Sequence, residues 1–346
     1  MNHNGSLAMA LRLIDVAADA GADAIKFQTF RADRLASRFA PKAQYQLDTT
    51  DSGESQLEML RKLELDESAH EILLKRCRDR GIEFMSTPFD NESLRFLVDK
   101  IGVQRLKIAS GEITNGPLLL EAARSGKPVL LSTGMSTIEE IEDALGVLAF
   151  GLTTHGEEPS RHAFRQALAS SEGIRALRER VTVLHCVTEY PAPFLDVNLR
   201  AIQVIRDRFP VNVGYSDHTL GISIALAAVA VGASVLEKHF TLDKSLSGPD
   251  HRASLDPLEL KALVKGVREI GVALGVAQKR PSPSELKNLA VARKSLVAAC
   301  EIRAGERYSA QNLSAKRPGN GISPMRFWDV IGRPAIRDFA EDEPIE

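Results

Sequence analysis

The chain has 346 residues, 44% of them hydrophobic, and a formal net charge of −2. That length suits one large domain with a substantial core plus a small one. The near-neutral balance and the absence of a basic run argue against a nucleic-acid partner. Three scattered cysteines, Cys77, Cys186 and Cys300, make no disulfide framework and fit a reducing cytoplasm. The opening Met-Asn-His-Asn-Gly has no apolar segment of the signal-peptide kind. The longest apolar stretch, 222–236, is too short for a bilayer span, so no membrane partner is expected.

In chain order, from residue 7 to about 275, one unit recurs: an amphipathic helix, a turn, then a short apolar strand ending in polar residues. Strands are expected over 23–29, 82–86, 105–109, 128–132, 181–187, 211–216 and 234–239. Helices are expected between them, at 7–20, 67–80, 92–100, 138–148, 199–209 and 222–231. Gly21, Gly81, Gly102, Gly126 and Gly232 fall at or just past helix ends, where a left-handed residue is wanted. The alternation predicts a parallel sheet, and its length predicts a (β/α)8 TIM barrel one strand short. A doubly wound open sheet is the competing fold. Because the chain opens on a loop, Asn2-His3-Asn4-Gly5, the absent strand is expected to be the first, leaving an exposed edge between 23–29 and 234–239. The polar stretch 151–175 reads as an insertion. Residues 276–290 are Pro- and Ser-rich and read as a linker, and 291–346 as a small unit with little core of its own.

Active sites of such barrels collect at the C-terminal strand ends. Here every end is polar: Lys26 and Gln28, Ser86 and Thr87, Lys107 to Glu112, Ser132 and Thr133, Thr188 and Tyr190, Ser216 and His218, Glu237 and His239. Strand alternation puts Ser216 and His218 on one face, and Glu237 with His239 on one face. Two imidazoles and a carboxylate on neighbouring strands make a plausible divalent-metal site, set against the plainer reading of polar strand ends. Lys26 faces opposite to Ile25 and Phe27 and so points inward, where an ammonium needs an anionic partner. Two inward lysines among hydroxyls suit a phosphate or carboxylate. No Walker-type loop is present. An anionic substrate beside a metal suggests enolate or carbonyl chemistry.

Taken together, Asn2-His3-Asn4-Gly5, Lys26-Phe27-Gln28-Thr29, Ser86-Thr87-Pro88-Phe89, Lys107-Ile108-Ala109-Ser110-Gly111-Glu112, Leu131-Ser132-Thr133-Gly134-Met135, Tyr190-Pro191, Ser216-Asp217-His218-Thr219, Glu237-Lys238-His239-Phe240, Gly248-Pro249-Asp250 and Lys316-Arg317-Pro318-Gly319-Asn320-Gly321 resemble the bacterial N-acetylneuraminate (sialic acid) synthases. The resemblance covers the whole chain, its last part resembling that family's antifreeze-like (SAF) domain. It implies condensation of phosphoenolpyruvate with the open-chain aldehyde of an N-acylmannosamine, with release of phosphate. It further implies Mn2+, or another divalent metal such as Mg2+ or Co2+, and a domain-swapped homodimer. By motif, His218 and His239 resemble the metal ligands. Lys26, Glu237 and Tyr190 are the candidate catalytic residues. Lys26, Thr87, Lys107, Ser110, Ser132 and Ser216 resemble the phosphoenolpyruvate cradle, with Thr188 at a position often Asn or Ser in relatives. Gln28, Glu112, Tyr190 and Asp250 resemble sugar contacts, and Arg317 is expected to reach the partner's site. The family's Glu-Ile-Gly strand, whose glutamate assists proton transfer, does not precede the Asn-His-Asn-Gly loop here.

N-acetylmannosamine is the first acceptor this suggests. Thr188-Glu189-Tyr190-Pro191-Ala192-Pro193 also resembles the synthases of N,N'-diacetyllegionaminate, whose acceptor is a 2,4-diacetamido-trideoxymannose. Two rivals differ in kind: a Schiff-base aldolase using Lys26 or Lys107, and a paralogue that binds substrate without turnover.

Overall fold

A computed structural model describes residues 1–51, 53–154 and 156–346. The chain divides into two units, Met1–Gly275 and Val276–Glu346. In the first, helices alternate with parallel strands β1 (Ala24–Thr29), β2 (Glu83–Pro88), β3 (Leu106–Ile108), β4 (Val129–Ser132), β5 (Val181–Cys186), β6 (Asn212–Asp217) and β7 (Leu236–Lys238). β1 pairs with β2, and β3 through β7 form a continuous parallel run. The Arg105–Glu83 ion pair, 2.8 Å, bridges the break between the two runs. The unit is a (β/α)8 TIM barrel without its first strand. Among the described residues β1 and β7 have no ladder on their outer edges. A cavity of ≈ 700 Å³ runs along this seam, lined by Lys26 and Gln28 of β1, Glu237 of β7, and Val264 and Val267 of helix Pro257–Ala273.

The strands are placed by what their two faces bury. Ile25 and Phe27 of β1, Phe84 of β2 and Ile108 of β3 face the helices and join one apolar layer with Ile14 and Leu73. The opposite faces turn inward, where Met85, Leu130 and Leu184 pack with Ala24 and Val235 as an apolar floor. Gly214 makes room for that floor, since a Cβ there would lie 2.6 Å from Leu184 Cδ2. Asp66, Thr137 and Asp256 cap the helices Glu67–Arg80, Ile138–Thr153 and Pro257–Ala273 with side-chain acceptors. Above the floor, the inward positions at the strand ends are polar.

Two stretches differ from their sequence reading. The polar insertion 151–175 is largely helical. Helix Ile138–Thr153 runs into it, and Arg161–Ala169 and Ser171–Arg180 follow, while residue 155 lies outside the described residues. Its apolar residues pack inward: Phe164 meets Phe150 with ring centroids 5.2 Å apart, and Leu177, just past the insertion on helix Ser171–Arg180, is fully buried. The 276–290 stretch carries much of a helix, Pro283–Ala292, whose Ser282 and Glu285 form a capping box.

The second unit pairs β8 (Ser295–Ala298) with β9 (Leu313–Lys316) in antiparallel register. It has a core of its own, in which Leu296, Ile302, Leu313, Phe339 and Ile345 are buried together. That is more than the short, turn-rich sequence suggests.

Candidate active site

The C-terminal strand ends bring most of the expected residues to one end of the barrel. In the β6–β7 register Ser216 lies opposite Glu237, and the Ser216 hydroxyl donates to Glu237 Oε1 at 2.9 Å. Lys107 Nζ, almost wholly buried, is 3.7 Å from the same oxygen. Burial pushes the Glu237 carboxyl up. The ammonium groups of Lys107 and Lys26 and the Ser216 hydroxyl outweigh it and hold the pKa down at about 2. Burial also lowers the pKa of Lys107, with Glu237 opposing.

Beside this pair the strand ends carry unpaired hydroxyls. Thr87 Oγ1, Ser132 Oγ and Thr188 Oγ1 are buried without a hydrogen-bond partner among the described residues. A buried polar group without a partner is costly and rare, so three at one strand-end layer indicate donors awaiting a ligand. Ser110 Oγ lies 3.1 Å from Cys186 Sγ and accepts from the Gly134 amide at 3.0 Å. Gly134 is required there, because a Cβ would come within 2.0 Å of Thr188 Oγ1. Lysines and unpaired hydroxyls form a cradle suited to a multiply charged anion.

On the neighbouring side His218 and His239 face each other, with ring centroids 5.5 Å apart. Burial holds both imidazoles below their ordinary pKa, so they are neutral. His218 Nδ1 is 2.5 Å from the Val187 carbonyl oxygen. A carbonyl only accepts, so Nδ1 carries the proton and Nε2 keeps its lone pair, the tautomer and support typical of a metal-ligating histidine. Asp250 Oδ2 is 3.9 Å from His239 Nδ1. Among the described residues no three His, Cys, Asp or Glu side chains converge as a ready-made coordination sphere. The donor set therefore fits a divalent cation held by two neutral imidazoles and completed by other oxygen donors.

Over the histidines lies an aromatic wall. Tyr190 is 4.2 Å from His218 and 5.7 Å from His239 by ring centroid, and Tyr45 packs on Tyr190 at 5.0 Å. Burial raises the pKa of both phenols, with Asp250 adding to it. Tyr45 was missed in the sequence because it sits in a long polar loop after β1. Its short helix Gln44–Thr49 is held by Lys42, whose ammonium donates to Thr50 Oγ1 at 2.9 Å and the Asp51 carbonyl at 2.6 Å. The loop bearing Asp250 is clamped by the chain's first residues. Asn4 Nδ2 donates to the Ser247 carbonyl at 2.9 Å, and Asn2 Nδ2 to Ser254 Oγ at 2.7 Å. Burial raises the Asp250 carboxyl pKa, and Lys26 opposes it.

Lys26 and Gln28 line the seam cavity beside Glu237 and His239. Glu112 lies on a 3-10 turn, where its Oε2 accepts from Asn115 Nδ2 at 2.7 Å. Arg317 belongs to the other unit, exposed, with its Nε donating to the Ala292 carbonyl at 3.0 Å.

Residues 13–279 match the NeuB family and residues 293–346 match the SAF domain. The chain belongs to the NeuB family and carries a C-terminal SAF domain. It is 50% identical to an N,N'-diacetyllegionaminic acid synthase of Campylobacter jejuni, over 100% of this chain and 96% of that protein. It is 42% identical to a protein of the same description from Legionella pneumophila, over 96% of this chain and 87% of that one. A crystal structure of an N-acetylneuraminic acid (sialic acid) synthetase from Leptospira borgpetersenii superposes with a TM-score of 0.67 at 36% identity, covering 83% of this chain and 86% of that one. No helix among the described residues is long and apolar enough to cross a membrane.

Proposed function

We propose that this NeuB-family synthase condenses phosphoenolpyruvate with the open-chain aldehyde of a 2,4-diacetamido-trideoxymannose, giving N,N'-diacetyllegionaminate and phosphate. The observation that carries the acceptor is the 50% identity, over the full chain, to a synthase of that description. The comparisons thus favour the second acceptor suggested by the sequence over N-acetylmannosamine. The aromatic wall of Tyr45 and Tyr190 supports the same reading, since ring faces suit acyl methyls and sugar C–H groups.

In this reading Lys26 and Lys107 neutralise the phosphoenolpyruvate, and Thr87, Ser132 and Thr188 give their unpaired hydroxyls to its oxygens, with Ser110 and Ser216 alongside. The methylene carbon of phosphoenolpyruvate bonds to the aldehyde carbon, and the aldehyde oxygen takes a proton. Water adds at the former enol carbon, the phosphate leaves, and a 2-keto acid remains. Glu237, ionised throughout the neutral range, offsets the charge developing at that carbon, and Lys26 and Tyr190 are the groups this reading assigns to proton transfer. Gln28, Glu112, Tyr190 and Asp250 hold the sugar. His218 and His239 would hold Mn2+, or Mg2+ or Co2+, and a cation bound there would polarise the aldehyde oxygen. Two chains acting as a dimer, with Arg317 of each serving the other's barrel, completes the proposal.

The test is phosphate release from phosphoenolpyruvate with each acceptor alone, with and without chelator. Release should require an acceptor and a divalent metal, and kcat/KM should be higher for the diacetamido sugar. Full activity in EDTA together with borohydride trapping of a pyruvate adduct would replace this reading with Schiff-base chemistry.

A further inference from the structure

Behind the two histidines, on the face of the sheet turned toward the helices, lies a buried ion pair that the reaction does not use. Lys238 Nζ is 2.6 Å from Asp217 Oδ2, with the two side chains only 3% and 0% exposed. Asp217 Oδ1 accepts from the Thr219 amide at 2.9 Å and from the Tyr215 hydroxyl at 3.2 Å. Lys238 Nζ also donates to the Thr219 carbonyl oxygen. Asp217 and Lys238 are opposite one another in the last pair of the β6–β7 ladder. Beyond it the backbones part: the His218 carbonyl accepts from Ala192, and the His239 carbonyl from Leu255. Asp217 immediately precedes His218, and Lys238 immediately precedes His239. The ammonium of the residue before one imidazole therefore grips the residues on both sides of the other.

We propose that the Asp217–Lys238 pair positions the two-histidine site, acting as a cross-strand staple that fixes the separation and tilt of His218 and His239. This rests on the reading of those imidazoles as metal ligands. A buried ion pair contributes little net stability and is often replaceable by apolar groups of like volume without loss of the fold. Geometry at the strand ends is what the pair supplies. Supports one shell removed from a metal commonly change its affinity by ten- to hundredfold.

The experiment measures Mn2+ binding by calorimetry, and the visible absorption of the Co2+ form, in the full-length protein and in D217N, D217N/K238M and H218A. The double substitution removes both charges together, and D217N keeps the shape of the carboxylate should the double variant fail to fold. Folding is checked by circular dichroism and thermal melting. Folded D217N/K238M should bind Mn2+ roughly ten- to hundredfold more weakly, with an altered Co2+ spectrum. D217N should change in the same direction by a smaller factor. If the folded variants bind Mn2+ within twofold of wild type, with an unchanged Co2+ spectrum, while H218A loses binding, the pair is a structural salt bridge and the staple is refuted. If wild type itself binds neither cation, the metal reading falls and the staple with it.

Discussion

At the residue scale the site is a problem of unpaired groups. Lys107 is almost fully buried and its nearest carboxylate is already shared with Ser216. Lys107→Met should therefore weaken phosphoenolpyruvate use by about 2–4 kcal/mol, as for loss of one charge facing a buried anion. Its effect on the sugar's KM should be much smaller, and steady-state kinetics with each substrate varied in turn checks this. Ser132→Ala offers a sharper separation. Its hydroxyl has no partner among the described residues, so thermal stability should hold or rise slightly. KM for phosphoenolpyruvate should rise by about 0.5–1.5 kcal/mol in free-energy terms. A variant that lost stability and kept its KM would mark Ser132 as structural. Period-two alternation made these inward residues readable, because a strand end leaves a side chain only two directions. It could not show Tyr45, which reaches Tyr190 by way of a loop clasped by Lys42, a tertiary contact with no local signature.

At the element scale, the seven strands and most helices were readable because apolar runs of the right length alternate with amphipathic stretches and glycine stops. The insertion 151–175 could be read only as polar, and its helices follow from the spacing of the apolar residues that pack, Phe164, Ala167 and Leu168. Docking of helix Glu67–Arg80 on β1 and β2 carries a pH dependence. His70 Nδ1 is 2.8 Å from the Asp66 carbonyl and Nε2 is 2.8 Å from Thr29 Oγ1, which lies 2.7 Å from Ser86 Oγ. The carbonyl fixes the proton on Nδ1, so Nε2 accepts from Thr29. Burial lowers the His70 pKa below its ordinary 6.5. The unfolded chain therefore takes up this proton first as pH falls. The stabilisation is fully present above about pH 6.5 and declines as pH drops toward the folded-state value. Denaturant melts of wild type and His70→Asn across that window should show the difference between them shrinking as pH falls. A difference that stays constant would show that His70 does not titrate on unfolding.

At the scale of the molecule, the barrel and the SAF domain each have their own core, and Arg317 lies in the second, far in sequence from the strand-end motifs. The proposed exchange of SAF domains between two subunits is testable by complementation. Arg317→Ala and His218→Ala chains, each weakly active alone, should regain part of the activity once mixed and allowed to exchange, because one site in the heterodimer is then whole. No recovery after confirmed exchange would mean that Arg317 acts within its own chain or not at all. The acceptor is the feature least readable from sequence, since the strand-end motifs resemble synthases of two different acceptors alike. The most direct test of the account supplies [3-13C]phosphoenolpyruvate, Mn2+ and equal amounts of N-acetylmannosamine and the 2,4-diacetamido-trideoxymannose in one reaction followed by NMR. The account predicts that the label enters the new methylene of N,N'-diacetyllegionaminate, in excess over sialic acid and with stoichiometric phosphate. Label accumulating chiefly in sialic acid would contradict the proposed acceptor, and label found only in pyruvate would contradict the condensation itself.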